Sequence, residues 1–361
     1  MQIGIAGLQY SGKSTLFATL LKHKSHDEQG KYKTETERGI VKVPDSRLDK
    51  LTAIFNPKKQ INATIEYIKV PGLDQEGHKG SGLPAGFLSN IKTVDLVLVM
   101  IRDFESEMFP HPMQNIDPKR DISFIHSEFI LNDLAIVEAR IEKLEKLVMK
   151  TQVEKDKREL VVLKKSLQFL EQEKALRELD LDEQEEMLIK GYQFITQKPI
   201  LFVLNIAENK VAETNKIIAD YKNLIPPGTM VTALSAEIEK EISELDQKDA
   251  KTFLEDLKIS EPATEKLIRA TYELVGLQSF FTVGDDECRA WTIKKNTRAQ
   301  KAAGEIHSDM EKGFIRAEVV AFDEFIQHGS LHACKEKGVL RLEGKEYIVQ
   351  DGDIISVRFN V

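Results

Sequence analysis

GLQYSGKST, Gly7 to Thr15, follows the apolar run QIGIA and leads into STLFATLLKHK, so a strand, a glycine loop and a helix come in succession. Gly7, Gly12, Lys13 and Ser14 fit the pattern G-x-x-x-x-G-K-[ST] in the context that gives it meaning. Glycines let the backbone bend until successive N–H groups face inward, and the following helix adds its positive end, so the loop is built to wrap an anion. A chance match in a chain of this length and composition is on the order of one per cent. The expected nucleotide contacts are therefore Gly7, Leu8, Gln9, Tyr10, Ser11, Gly12, Lys13, Ser14 and Thr15. Lys13 is expected to bridge the β and γ phosphates as the catalytic cation, Ser14 to ligate Mg2+, and Thr15 to reach the α phosphate.

Outward from this loop, strand-like runs alternate with helical segments to about Phe124, as an α/β layer architecture requires. QIGIA, ATIEYIKV and DLVLVMIRDF read as strands, and PILFVLNIAEN and GTMVTALSAE resume the pattern only after a long interruption. One domain, 1–124 and 198–276, is thus expected to be split by an insertion at 125–197. Within it Val137, Ile141, Leu144 and Val148, then Leu160, Leu163, Leu167 and Leu170, recur at coiled-coil spacing. The polar MKTQVEKDKRE between them reads as the turn of an antiparallel helical hairpin, because the flanking strands must return to one sheet. A single unbroken helix is the competing reading, since neither Gly nor Pro marks the turn. The tip carries Lys146, Lys150, Lys155, Lys157, Arg158, Lys164 and Lys165, which make either a solvated helix face or a surface for phosphate backbone. From 277 to 361 FFTVG, CRAWTI, FIRAEVVAF, KEYIVQ and DIISVRFNV surround one helical stretch near Arg298 to His307, as in a small β-grasp-like α+β module.

At 361 residues the chain is too long for one ordinary core. No apolar run approaches the ~20 residues that cross a bilayer, DLVLVMI being the longest candidate, and the apolar N-terminus ends in the glycine loop and not in a cleavage site. Cys288 and Cys334 alone make neither a disulfide scaffold nor a structural zinc site, and fit a cytoplasmic protein. The formal charge of -8 carries no global nucleic-acid signature, so no DNA or membrane partner is expected and any RNA contact needs a local basic patch.

Guanine recognition in P-loop proteins rests on an Asn-Lys-x-Asp signature; here the strand PILFVLN ends in Asn205, Ile206, Ala207 and Glu208. An N-x-x-E carboxylate, one methylene longer, does not fit the same place against guanine, so adenine or a relaxed specificity is expected. With GIVKVPDSRLDKL, RDFESEMFPH, DPKRDI, LNIAE and SAEIEKE, and above all RAWTIKKNTRAQKAAGEIHSDMEKGFIRAEV and RLEGKEYIVQDGDIISVRFNV, the chain resembles the YchF, or Obg-like ATPase, family over nearly its whole length. The resemblance implies a Ras-like P-loop G domain, a coiled-coil hairpin insertion and a C-terminal TGS domain. It also implies ATP in preference to GTP and slow hydrolysis, with association to ribosomes, RNA or translation factors through the hairpin tip and the TGS domain. Asn205, Ile206 and Glu208 would select the base, backed by Ser235 and Ala236.

Against the family pattern Asp-x-Ala-Gly, whose aspartate holds Mg2+ through water, the chain has Lys69, Val70, Pro71 and Gly72. A cation there opposes a metal ion, and Glu66, Asp74 and Glu76 are the nearby acids that remain. Gly80 to Leu88, GSGLPAGFL, keeps the first glycines of the family's switch II but not its Asn-Lys pair, and Thr34 or Thr36 stands for the switch I threonine. Hydrolysis is therefore left open, the alternative being a hydrolysis-deficient, ribosome-associated nucleotide holder. Leu73 takes the place of a water-orienting glutamine, and His111 in RDFESEMFPH is the candidate for that role. Trp291 reads as a core anchor and His307 as structural.

Overall fold

A strand that is apolar without alternation must be covered on both faces, and β1 (Gln2–Gly7) is buried from Ile3 onward. In the computed structural model, which describes residues 1–21, 36–73 and 83–360, β1 lies between β4 (Thr64–Lys69) and β5 (Leu96–Asp103). With β2 (Glu37–Lys42), β6 (Ile200–Ile206) and β7 (Met230–Leu234) the sheet order is β2-β4-β1-β5-β6-β7. Every pairing from β4 to β7 is parallel, so the ends of β1, β4, β5 and β6 open at one edge, where α1 (Lys13–Leu20) begins. The five expected strands are thus β1, β4, β5, β6 and β7, and β2 is an addition. Core residues include Ile68, Val97, Val99, Phe202 and Leu204.

After the helices α2 (Ser46–Phe55) and α3 (Ala85–Ile91) the chain leaves this sheet in a hairpin of two more, α4 (Pro118–Thr151) and α5 (Glu154–Leu170). Gln152 turns the chain without glycine, in the left-handed region at φ 52°, which excludes the single unbroken helix. Arg140–Glu159 and Lys164–Glu145 are ion pairs across the hairpin. Ile122, Ile125 and Phe129, on the first turns of α4, pack into the core beneath the sheet, whereas Ile130, Val137, Ile141, Leu144, Val162, Leu163 and Leu170 pack with one another. On return Phe194 belongs to the hairpin's core and Ile195 to that of the sheet, so the arm has its own apolar interior between them.

The chain forms two compact units, Met1–Gly39 with Glu66–Thr264, and Ile40–Ile65 with Glu265–Val361. The second is built on β8 (Leu277–Thr282), β9 (Glu287–Lys294), β10 (Phe314–Ala321), β11 (Arg341–Glu343) and β12 (Asp353–Phe359). Hairpin β8–β9 is antiparallel, β12 pairs antiparallel with β10 and runs parallel to β8, and the helix Ala299–Ile306 packs Ala299, Ala302 and Ala303 against the sheet: a β-grasp arrangement. KEYIVQ is not a strand. The short β11 precedes it, and the segment turns to place Tyr347 Oη on Asp353 at 2.8 Å. A further strand comes from far upstream: β3 (Lys59–Ile61) adds in parallel to β9, with Gln60 opposite Cys288. The segment carrying β3 is held in this unit by Arg47, which bonds Asp351 at 2.7 Å and lies 5.2 Å over the Phe281 ring, and by Phe55 stacked on Phe325. Trp291 donates Nε1–H to Thr282, and His307 Nδ1 accepts from Asp309 N–H at the start of a short helix, both structural roles.

Candidate functional site

The loop after β1 needs its glycines for measurable reasons. Gly7 sits at φ 141°, and a Cβ there would lie 2.4 Å from Met100 O; Gly12 sits at φ 95°, and its Cβ would lie 2.1 Å from Asn205 Nδ2. Tyr10, also left-handed at φ 59°, stacks on Phe109 with ring centroids 5.3 Å apart. Lys13 turns inward and donates from Nζ to Gly7 O (3.1 Å) and Leu8 O (2.6 Å). Burial, and then the charge of Lys69, lower its pKa to about 7.

Above the loop opens a cavity of about 1130 Å³, lined by Gln9 to Thr15, Lys69 to Gly72, Phe104 to Ser106, Phe109, Asn205 to Asn209 and Ser235 to Glu237. Of the expected contacts, Gly7 and Leu8 lie beneath the lining and act through their carbonyls on Lys13, while the rest of the loop faces the cavity. Asn205 is buried with both ends of its amide used: Nδ2 donates to Ser11 O (3.1 Å) and Oδ1 accepts from Ala236 N–H (2.9 Å). Its place is that of a strut between the phosphate loop and the SAEIE segment, and the polar side chain of N-x-x-E left to meet a base edge is Glu208. Ile206, Ser235 and Ala236 also line the cavity.

The described residues at this place do not fit Mg2+. At the end of β4, Lys69 Nζ lies 3.4 Å from Ser14 Oγ and 2.5 Å from Glu37 Oε1, with 10% of the side chain exposed. Any ion ligated by Ser14 at ~2.1 Å would stand less than ~6 Å from that ammonium. At such separations like unit charges repel by several kcal/mol even in a screened site, about 4 kcal/mol at 4 Å, and a divalent ion doubles the term. Among the described residues Glu37 is the acid beside Lys69, and it is engaged by it. Glu66 lies three residues back along β4, bonded to Gln2 at 2.7 Å and facing Arg38, and does not line the cavity. Thr36 accepts from Asn90 at 3.0 Å, likewise away from the cavity lining. Thr34, Asp74, Glu76 and the glycines Gly80 and Gly82 lie outside the described residues.

His111 is not brought to the cavity. Its imidazole is buried, Nδ1 accepts from Met113 N–H (3.1 Å), and Nε2 lies 2.9 Å from Asp121 Oδ2 on α4. With Nδ1 accepting, the ring proton resides on Nε2, beside the carboxylate but without hydrogen-bond geometry to it. Burial lowers the pKa of His111 while Asp121 opposes the shift, so the ring is neutral and serves to fasten the loop. Glu37, Phe104, Phe109 and Asn209 were not foreseen. Phe109 carried a signal, an aromatic in a proline loop with no core to join; Glu37 carried none, because its partner is the unexpected lysine.

A P-loop opening onto the parallel edge of such a sheet, with a helical arm between β5 and β6, defines a nucleotide-binding G domain. A family profile described as 50S ribosome-binding GTPase matches residues 2–165, and one for the YchF GTPase C-terminal region, described as a protein of unknown function (DUF933), matches 277–360. The chain is 41% identical to the ribosome-binding ATPase YchF of Bacillus subtilis (strain 168), over 99% of both chains. It is 36% identical to Obg-like ATPase 1 of Gallus gallus, over 100% of this chain and 92% of the relative. The solved structure of the Schizosaccharomyces pombe YchF GTPase superimposes with a TM-score of 0.87 at 29% identity, covering 99% and 97% of the two chains. The chain belongs to the YchF family.

Proposed function

We propose that this chain is an ATP-binding P-loop protein that works on ribosomes, prefers ATP to GTP and hydrolyses it slowly. The observation that carries the reading is the cavity itself: a complete phosphate loop at one end, and the N-x-x-E segment strutted to it by Asn205 at the other. The loop amides and Lys13 would hold the phosphates, and Glu208, an acceptor, would take the exocyclic amine of adenine. The hairpin tip and the β-grasp unit would supply the ribosome or RNA contact, together with translation proteins, in the cytoplasm. Among the described residues no helix is long and apolar enough to cross a membrane.

Lys69 beside Ser14 and His111 turned to Asp121 favour a second reading, a nucleotide holder without turnover. Direct competition of ATP and GTP for the full chain, with Lys13→Ala as control, tests the first. Tighter GTP binding, or unchanged ATP binding by Lys13→Ala, would sink it. Phosphate release by the wild type separates a slow ATPase from a holder, and co-sedimentation with ribosomes tests the partner.

A further inference from the structure

Lys69 lies at the place where a P-loop site needs a metal, and it is built in. The side chain leaves the last residue of a central strand, paired in register with Ile5 of β1, and its ammonium is held between Glu37 and Ser14 Oγ. It faces the cavity that Lys13 also lines, and is close enough for its charge to act on Lys13. The site therefore presents two ammonium groups and a helix N-terminus to a polyphosphate, and Glu37 beside Lys69 is already paired with it.

We propose that Lys69 substitutes for the divalent cation, so that the chain binds metal-free nucleoside triphosphate through Lys13 and Lys69 and needs no Mg2+ for affinity. The inference rests on the nucleotide reading above and narrows it: the ligand form is the free tetra-anion. An ammonium on a fixed strand neutralises β- and γ-phosphate charge as a point donor. It lacks the octahedral ligand shell through which Mg2+ orders its surroundings, so nucleotide would be held without the geometric constraint the metal supplies. Glu37, on β2, sets the position: it keeps Lys69 beside Ser14.

The test is calorimetry of ATP binding to the full chain in EDTA and in excess Mg2+. The wild type is expected to bind in EDTA at least as tightly as in Mg2+. Lys69→Met should weaken binding in EDTA by about tenfold or more, and Lys69→Asp should make binding depend on Mg2+. The double variant Glu37→Gln/Lys69→Met, which also removes the charge that Lys69 pairs with, should match Lys69→Met and guards against a folding artefact. Wild-type binding that falls by about tenfold in EDTA and returns with Mg2+ overturns the inference and leaves the nucleotide reading standing. Unchanged affinity of the double variant in EDTA overturns it also. No binding in either buffer overturns both.

Discussion

Lys13 is the residue whose titration is open to measurement. Burial and the charge of Lys69 bring its pKa from 10.5 to about 7. Between those values the unfolded chain binds more protons than the folded one, so this group's contribution to stability rises with pH across that window. Phosphate binding has the opposite sign, because it requires the charged lysine and raises its pKa again. ATP affinity should therefore fall as pH rises above about 7, by up to about tenfold per unit. Calorimetry near pH 8 in buffers of different ionisation heat should show net proton uptake, absent in Lys13→Met. Asn205 yields a second outcome at this scale. Its alanine variant leaves Ser11 O and Ala236 N–H unpaired in a buried place, which should cost about 2–3 kcal/mol by denaturant melt and loosen both walls of the nucleotide cavity at once. The phosphate loop and the N-x-x-E segment were legible in sequence because spacing alone implies their chemistry. The strut role of Asn205 and the burial of His111 were not, since each depends on partners that only the fold brings near.

At the scale of elements, the arm is anchored where α4 passes the returning chain. Asp133, fully buried on α4, accepts from Ile195 N–H (3.2 Å), Thr196 N–H (2.7 Å) and Thr196 Oγ1 (2.7 Å). Burial raises its pKa although these donors oppose the shift. Asp133→Ala would strand three donors at the joint between two cores, and should destabilise by about 2–4 kcal/mol while the arm's own core, Val137 to Leu170, keeps its helices. The expected signature is a lower melting temperature with nearly unchanged far-ultraviolet circular dichroism at 20–25 °C. The heptad seam was readable because apolar spacing reports which face is buried. The point at which α4 passes from one core to the other was not, because Phe129 and Ile130 look alike in sequence and differ only in what they meet. The tip is less basic than its composition suggests: Lys146 pairs with Glu142, Lys164 with Glu145 and Lys165 with Glu185.

For the whole molecule, the decisive fact is that the second unit is discontinuous: Ile40–Ile65 folds with Glu265–Val361 although the whole of Glu66–Thr264 separates them. Sequence reading drew its border at 277 because the strand-rich pattern begins there. Three residues of a joining strand, KQI, carry too little periodicity to reveal a partner so remote. A chain ended at Gly276 would lose β9, Asp351, Phe281 and Phe325 together, and with them every described anchor named above for β3, Arg47 and Phe55. The segment 40–65 would then hold apolar side chains such as Phe55 without their covering partners, and β3 an unpaired edge. Limited trypsin digestion should cut the truncated chain at Lys50, Lys58 or Lys59 within minutes, while the full chain resists there under the same conditions. Because this segment begins within β2, which carries Glu37, its release should also weaken nucleotide binding. Equal protease resistance of the two chains at these lysines would show that Ile40–Ile65 holds its conformation without the C-terminal unit, and that the border read from sequence is the physical one.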